Sequence, residues 1–267
     1  MRSNVTTFGT FGMTGLALAA LIGVAACGTA PESATSPTLF GASAVAALAS
    51  PEVPIFNVDA AGRWPDGRGP CVFETSTGRF GCDDKRGNGL SFSRTVTFFD
   101  ASGAVQTAYD ANTTASIKTE TSVSGSTKTR DGGTATINRA GLMIVSGLAG
   151  AETTRTLNGN EQGTVAITGT GVGGASLSVN TAINDTTVNL VVPVPTNRFD
   201  RRGYPLSGLR THSTTTTTTR GSETRTDTRV RKETFDGTAI VQIELTINGV
   251  TQNCTLNLDT HRSNCQR

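Results

Sequence analysis

The chain has 267 residues, with 23 basic and 21 acidic side chains, 2 histidines and only 5% aromatics. Charge so near balance excludes the strong basic excess that nucleic-acid binders carry on one face, so no nucleic-acid partner is expected. Few aromatics, 16% charged residues and 31 glycines disfavour a helical bundle. They suit Thr- and Val-rich strands joined by glycine turns, at a length compatible with one β domain.

In chain order, residues 1–26 read as an export signal. One charge at Arg2 precedes an apolar stretch that begins at Phe8 and ends in Ala25-Ala26-Cys27. Such a stretch falls short of the roughly 20 residues that span a bilayer comfortably. Its end, Val24-Ala25-Ala26-Cys27, resembles the lipobox of bacterial lipoproteins. The resemblance implies cleavage before Cys27, a diacylglyceryl group on its thiol and a membrane as partner through several acyl chains. No acidic residue directly follows the cysteine, which by resemblance to enteric lipoproteins points to the outer membrane of the cell envelope. The alternative is an ordinary secretory signal that leaves Cys27 as a thiol or disulfide partner. Residues 27–66 read as a flexible tether punctuated by Pro31, Pro37, Pro51, Pro54 and Pro65, with a short helix expected over Leu39–Ala49 and Trp64 near its end.

Residues 67–267 are expected to form a single all-β domain, antiparallel and sheet-rich: a meander, a sandwich or a half-barrel. Its cysteines form two pairs of equal spacing, Cys71 with Cys82 and Cys254 with Cys265, each with ten residues between. Hairpins turning near Ser76-Thr77 and Asp259-Thr260 bring each pair opposite one another, so two local disulfides are expected. Three connectivities are open to four cysteines; a four-cysteine metal site is disfavoured by the wide spacing and by export. Strands are expected over Ser91–Phe99, Ser116–Val123, Gly163–Thr168, Ala175–Asn180, Thr187–Val192 and Ile240–Ile247. Asp100–Gly103, Asp131-Gly132-Gly133, Asn158-Gly159 and Asn248-Gly249 read as turns. The segments Thr97–Gln106 and Thr234–Gln242 echo each other, each near one cysteine hairpin but in opposite order.

The search for catalytic chemistry yields little. His212 has no carboxylate near it in sequence, and His261 lies in the C-terminal cysteine hairpin, where an exposed turn residue is expected. Neither a metal site nor a cofactor is expected. Gly169 to Gly174 matches GxGxxG, but a strand follows it where a phosphate site needs a helix N-terminus, so it reads as a glycine turn. From Glu223 to Glu233 charges of mixed sign alternate with Thr and Val. This reads as a solvated ionic face that guards against sheet pairing. Its alternative is a surface for an anionic headgroup or glycan, built from Arg225, Arg229 and Arg231 with Arg198, Arg201 and Arg202 of the preceding loop. Thr214 to Thr219, six threonines in a row, suits an exposed sheet face; matching an ice lattice or a polysaccharide needs a fixed repeat that the sequence lacks.

The leading expectation is a non-enzymatic envelope lipoprotein that binds or scaffolds an envelope protein, glycan or lipid at the membrane surface. The alternative is a carrier of lipid or another hydrophobic ligand, with a cavity lined by Phe92, Phe98, Leu142, Ile144 and Leu148. A hydrolase with a triad assembled in space ranks third.

Overall fold

The computed structural model describes residues 71–86, 89–129, 131–171, 174–194 and 203–265. The lipobox, the tether with Trp64, and Arg198, Arg201 and Arg202 lie outside the described residues. What is described is all-β, in one antiparallel sheet of thirteen strands. In chain order these are β1 (Val72–Glu74), β2 (Arg79–Arg86), β3 (Leu90–Asp100), β4 (Val105–Gln106), β5 (Thr114–Lys128), β6 (Thr134–Ser146) and β7 (Thr154–Thr170). They continue with β8 (Ser176–Pro193), β9 (Ser207–Arg220), β10 (Glu223–Phe235), β11 (Ile240–Ile247), β12 (Val250–Asn257) and β13 (Arg262–Cys265). Every strand pairs with its neighbours in sequence except at β4, which pairs with β3 alone while β3 pairs on with β5. Of the three architectures the sequence left open, the meander is the pattern of connection.

The strands run longer than their local patterns suggest. The segments expected over Ala175–Asn180 and Thr187–Val192 merge into β8, which starts at Ser176, and Gly163–Thr168 lies in the second half of the seventeen-residue β7. Asn158-Gly159, read as a turn, lies inside β7, where the register with β8 shifts. The Asn158 side chain accepts a hydrogen bond from the Asn189 N–H at 2.7 Å, and Asn189 takes a positive φ of 48°. An Asn-Gly pair thus serves an irregular ladder as well as a turn. The other turn signals hold. Asn248-Gly249 has both residues at positive φ, as a tight two-residue hairpin requires. Between β7 and β8 the Gly171 N–H is bonded to Ala175 O at 2.7 Å and the Gly174 N–H to Gly171 O at 3.1 Å, and a strand follows.

Strand alternation divides the sheet into two faces. One, the packed face, carries Val96, Phe98, Ala135, Ile137, Met143, Val165, Ile183, Val241, Ile243 and Leu245, all buried. On β5, Ile117, Thr119, Thr121 and Val123 share it, as their alternation indicates. Glycines on this face make room for long neighbours. A Cβ on Gly163 would lie 2.7 Å from Arg139 Cγ, and one on Gly159 would lie 2.8 Å from Met143 Cε. Side chains from β6 therefore lie across β7 where a larger residue would exclude them.

Both expected disulfides are present. Cys71–Cys82 and Cys254–Cys265 have Cα separations of 4.3 and 3.9 Å, and Cys254 lies directly opposite Cys265 in the ladder. In sheet order the two bridged hairpins, β1–β2 and β12–β13, are the two edges. Edge strands are short here, three and four residues, which limits the unpaired backbone they present.

Candidate functional site

The charges of β10 alternate with Thr and Val along the strand. Arg225, Asp227, Arg229, Arg231 and Glu233 share one side of it, facing Thr218, Thr216, Thr214, His212 and Arg210 of β9. That side is the packed face; Arg225 and Arg229 toward its outer end are exposed, as a solvated ionic face requires, whereas Arg231 and Glu233 are partly buried, which corrects the expectation for the inner end. Exposure falls along the strand: the Arg225 side chain is 77% exposed, Arg231 only 25% and Glu233 14%. Strand β10 lies at the end of the packed face near Gly221 and runs inward, so its charges pass from water into the core.

Two of the three arginines on β10 are held by a carboxylate two residues further on. Arg225 donates to Asp227 at 2.7 and 3.1 Å, and Arg231 is paired with Glu233. The Arg225 side chain and a hydrogen bond from Asn248 hold the Asp227 carboxyl below its ordinary range. Arginines so engaged are poor receptors for an outside anion, because a ligand would first have to displace the internal carboxylate.

Following the register inward reveals a row that no sequence pattern announced. Glu161 on β7, Asp185 on β8, His212 on β9 and Arg231 on β10 are successive cross-strand partners. Arg139, on the neighbouring position of β6, reaches Glu161 at 2.5 Å, and His212 Nδ1 is hydrogen-bonded to Asp185 Oδ1. Arg94 of β3 lies in the same row beyond Thr121 and Gly141 and is 3% exposed. Ile137 and Val165 on one side and Val96 and Met143 on the other thus flank a belt of charges, several of them paired. Burying charge is costly unless each ion is paired, and the pairing is what makes the belt tolerable.

His212 thus has the carboxylate partner that its sequence neighbourhood lacks, 27 residues away. An aspartate orienting an imidazole is two-thirds of a hydrolytic triad. Among the described residues no serine or threonine hydroxyl is hydrogen-bonded to His212, so the pair lacks the nucleophile of a triad. His261 sits exposed at positive φ in the turn of the C-terminal hairpin, as its sequence position indicates.

The opposite face differs throughout. From β5 to β10, four cross-strand rows present short side chains: Ser122, Ala140, Gln162, Asn184, Ser213 and Val230 in one, Ser124, Asn138, Thr164, Ala182, Thr215 and Thr228 in the next. Hydroxyls pair across strands, Thr217 with Thr226 at 3.1 Å and Thr219 with Thr224 at 3.0 Å. The six-threonine run supplies both faces: Thr215, Thr217 and Thr219 lie here, while Thr216 turns to the packed face and meets Thr181 at 3.1 Å. Within these four rows Lys128, at the rim, is the one charge; further along the same face stand Lys118 and Glu120 of β5, Lys232 of β10 and Glu244 of β11.

The five residues expected to line a carrier cavity do not come together. Phe92 and Phe98 lie on the packed face, and Leu142 and Ile144 on the opposite one, with Ile144 exposed. Leu148 is buried in the β6–β7 connection. The period of two put β6's even-numbered residues outside, a parity that depends on its pairing with β5.

Comparison of the chain with family models, curated proteins and solved structures finds no match.

Proposed function

We propose that the protein is a non-enzymatic envelope lipoprotein, held to a membrane by acylated Cys27, whose β domain makes contact through its hydroxyl- and amide-bearing face. The observation that supports it best is the disulfide at each edge of the sheet, since such bridges persist in oxidising compartments outside the cytoplasm. The lipobox-like end of the apolar leader supplies the anchor. The four rows of hydroxyls, amides and small side chains supply a broad surface whose one charge is Lys128, and two of the three arginines of β10, on the other face, are already occupied. The division of the expected cavity lining between two faces favours this reading over a lipid carrier.

The test is metabolic labelling of the full chain with radioactive palmitate in a bacterial host, alongside Cys27→Ala. Label in the parent and none in the variant is the expected result. An unlabelled, cleaved and freely soluble parent chain would overturn the anchor. Binding of the full chain to envelope fractions should change little between low and high salt, because the four contact rows carry one charge, Lys128, to screen. A steep loss of binding with salt would move the contact to the charged strand β10.

A further inference from the structure

We infer that the tip of the β11–β12 hairpin, Ile247-Asn248-Gly249-Val250, seats against an anionic lipid surface and so orients the domain on its membrane. Large apolar side chains stand exposed at eight positions among the described residues, and in one case only are two of them cross-strand partners. There Ile247 is 43% exposed and Val250, the most exposed of the eight, 73%. Arg229 lies directly opposite Ile247 on β10, so the three side chains share one side of the sheet. Arg229 is also the one arginine of β10 without a carboxylate partner among the described residues.

The polar groups of Asn248 are met from within the protein, so the tip can leave water with little loss of hydrogen bonding. Its N–H donates to Thr228 O at 2.9 Å, its Oδ1 accepts from the Thr228 N–H at 2.7 Å, and its Nδ2 donates to Asp227 Oδ1 at 2.9 Å. The same bonds brace the turn on β10 and hold Ile247 and Val250 beside Arg229. The carboxylate nearest to Arg229 in sequence, Asp227, is already engaged by Arg225. What remains at the tip is an aliphatic pair and a spare cation, a combination that settles where headgroups meet acyl chains. The aliphatic pair alone suits a protein groove equally well; the arginine beside it favours a negatively charged surface, and the proposed acyl anchor keeps one within reach. Two side chains hold a bilayer weakly by themselves, but a chain already tethered there needs only a weak contact to fix its orientation. In that respect the inference rests on the anchor at Cys27.

For the test, the full acylated chain is reconstituted in vesicles of phosphatidylcholine and phosphatidylglycerol, about three to one, with brominated acyl chains that quench indole fluorescence. The chain's one tryptophan is removed by Trp64→Phe, and an indole is placed at the tip by Val250→Trp or on the exposed opposite face by Thr215→Trp. Quenching at the tip is expected to be about threefold stronger or more than at the opposite face. It should fall to the level of the opposite face with Arg229→Glu, and in vesicles of phosphatidylcholine alone. Equal quenching at the two positions overturns the inference, as does tip quenching that persists with Arg229→Glu or without phosphatidylglycerol. If Val250→Trp does not fold, Ile247→Trp takes its place with the same outcomes. Failure of the anchor is distinguishable, because a chain without acyl groups separates from the vesicles on flotation.

Discussion

The two edges of the sheet are built from the same pieces in opposite order and packed by different chemistry. At the N-terminal edge a disulfide hairpin, β1–β2, precedes a turn that begins at Asp100. At the C-terminal edge a turn beginning at Asp236 precedes the disulfide hairpin β12–β13. Asp100 Oδ1 accepts from the N–H and hydroxyl of Ser102, and Asp236 Oδ1 accepts from those of Thr238. Shared turn chemistry accounts for the internal echo in the sequence. Packing differs: the N-terminal edge is aromatic, with Phe73, Phe80, Phe98 and Tyr109 in consecutive ring contacts at 5.0, 5.3 and 5.8 Å. The C-terminal edge is aliphatic, with Val241, Ile243 and Leu245 around Cys254, which belongs to the core while its partner Cys265 is exposed. One edge is stapled beside its core and the other through it.

That contrast can be broken at several points, the largest first. Phe98→Ala removes the centre of the aromatic series, and urea unfolding should show a loss of about 3–5 kcal/mol. The two bridges close loops of equal length, so chain entropy assigns each about 3 kcal/mol. Cys254→Ala with Cys265→Ala should cost roughly 1 kcal/mol more than Cys71→Ala with Cys82→Ala, because a buried sulfur leaves unfilled space. Equal losses would show that the core does not depend on the C-terminal sulfur. On the exposed side of the N-terminal edge, burial pushes the Glu120 carboxyl up, but a hydrogen bond and charge from Lys118 and the charge of Arg79 outweigh it and hold it below its ordinary value. Glu120→Gln should therefore cost under about 1 kcal/mol at neutral pH. A lowered folded value means the contribution is present above the ordinary carboxylate range and disappears as pH falls through it, so parent and variant should converge in acid. The smallest effects belong to the turns. Bonds from Ser102 and then Ala104 lower the Asp100 carboxyl, and bonds from Thr238 lower that of Asp236. Asp100→Ala and Asp236→Ala should each lower Tm slightly and equally at pH 7, with the difference from the parent vanishing in acid. Unequal shifts would mean that the two turns are alike in sequence only.

Much of this fold was legible because its signals are local. The period of two over Ser116–Val123, the equal cysteine spacings and Asn248-Gly249 each declare a strand or turn within a dozen residues. What was not legible depends on register. Asn158-Gly159 reads as a turn until the ladder shows β8 passing beside it. His212 gains Asp185 only once β8 and β9 are aligned across a connection of thirteen residues and a bulge near Val188. The burial of Arg231 and Glu233 was hidden for the same reason: alternation tells that charges share a face but not which face turns inward.

Because each strand lies beside its neighbour in sequence, the sheet can grow as a zipper, one hairpin after another, without waiting for distant segments to meet. The same order governs how it opens. A ribbon of this kind frays from its ends, and here both ends are clipped covalently, so opening must begin against a cross-link. Amide protons should then exchange slowest in the middle of the ribbon, around Val165 on β7 and Thr181 on β8. Reducing the bridges should speed exchange at the two margins long before it reaches that centre.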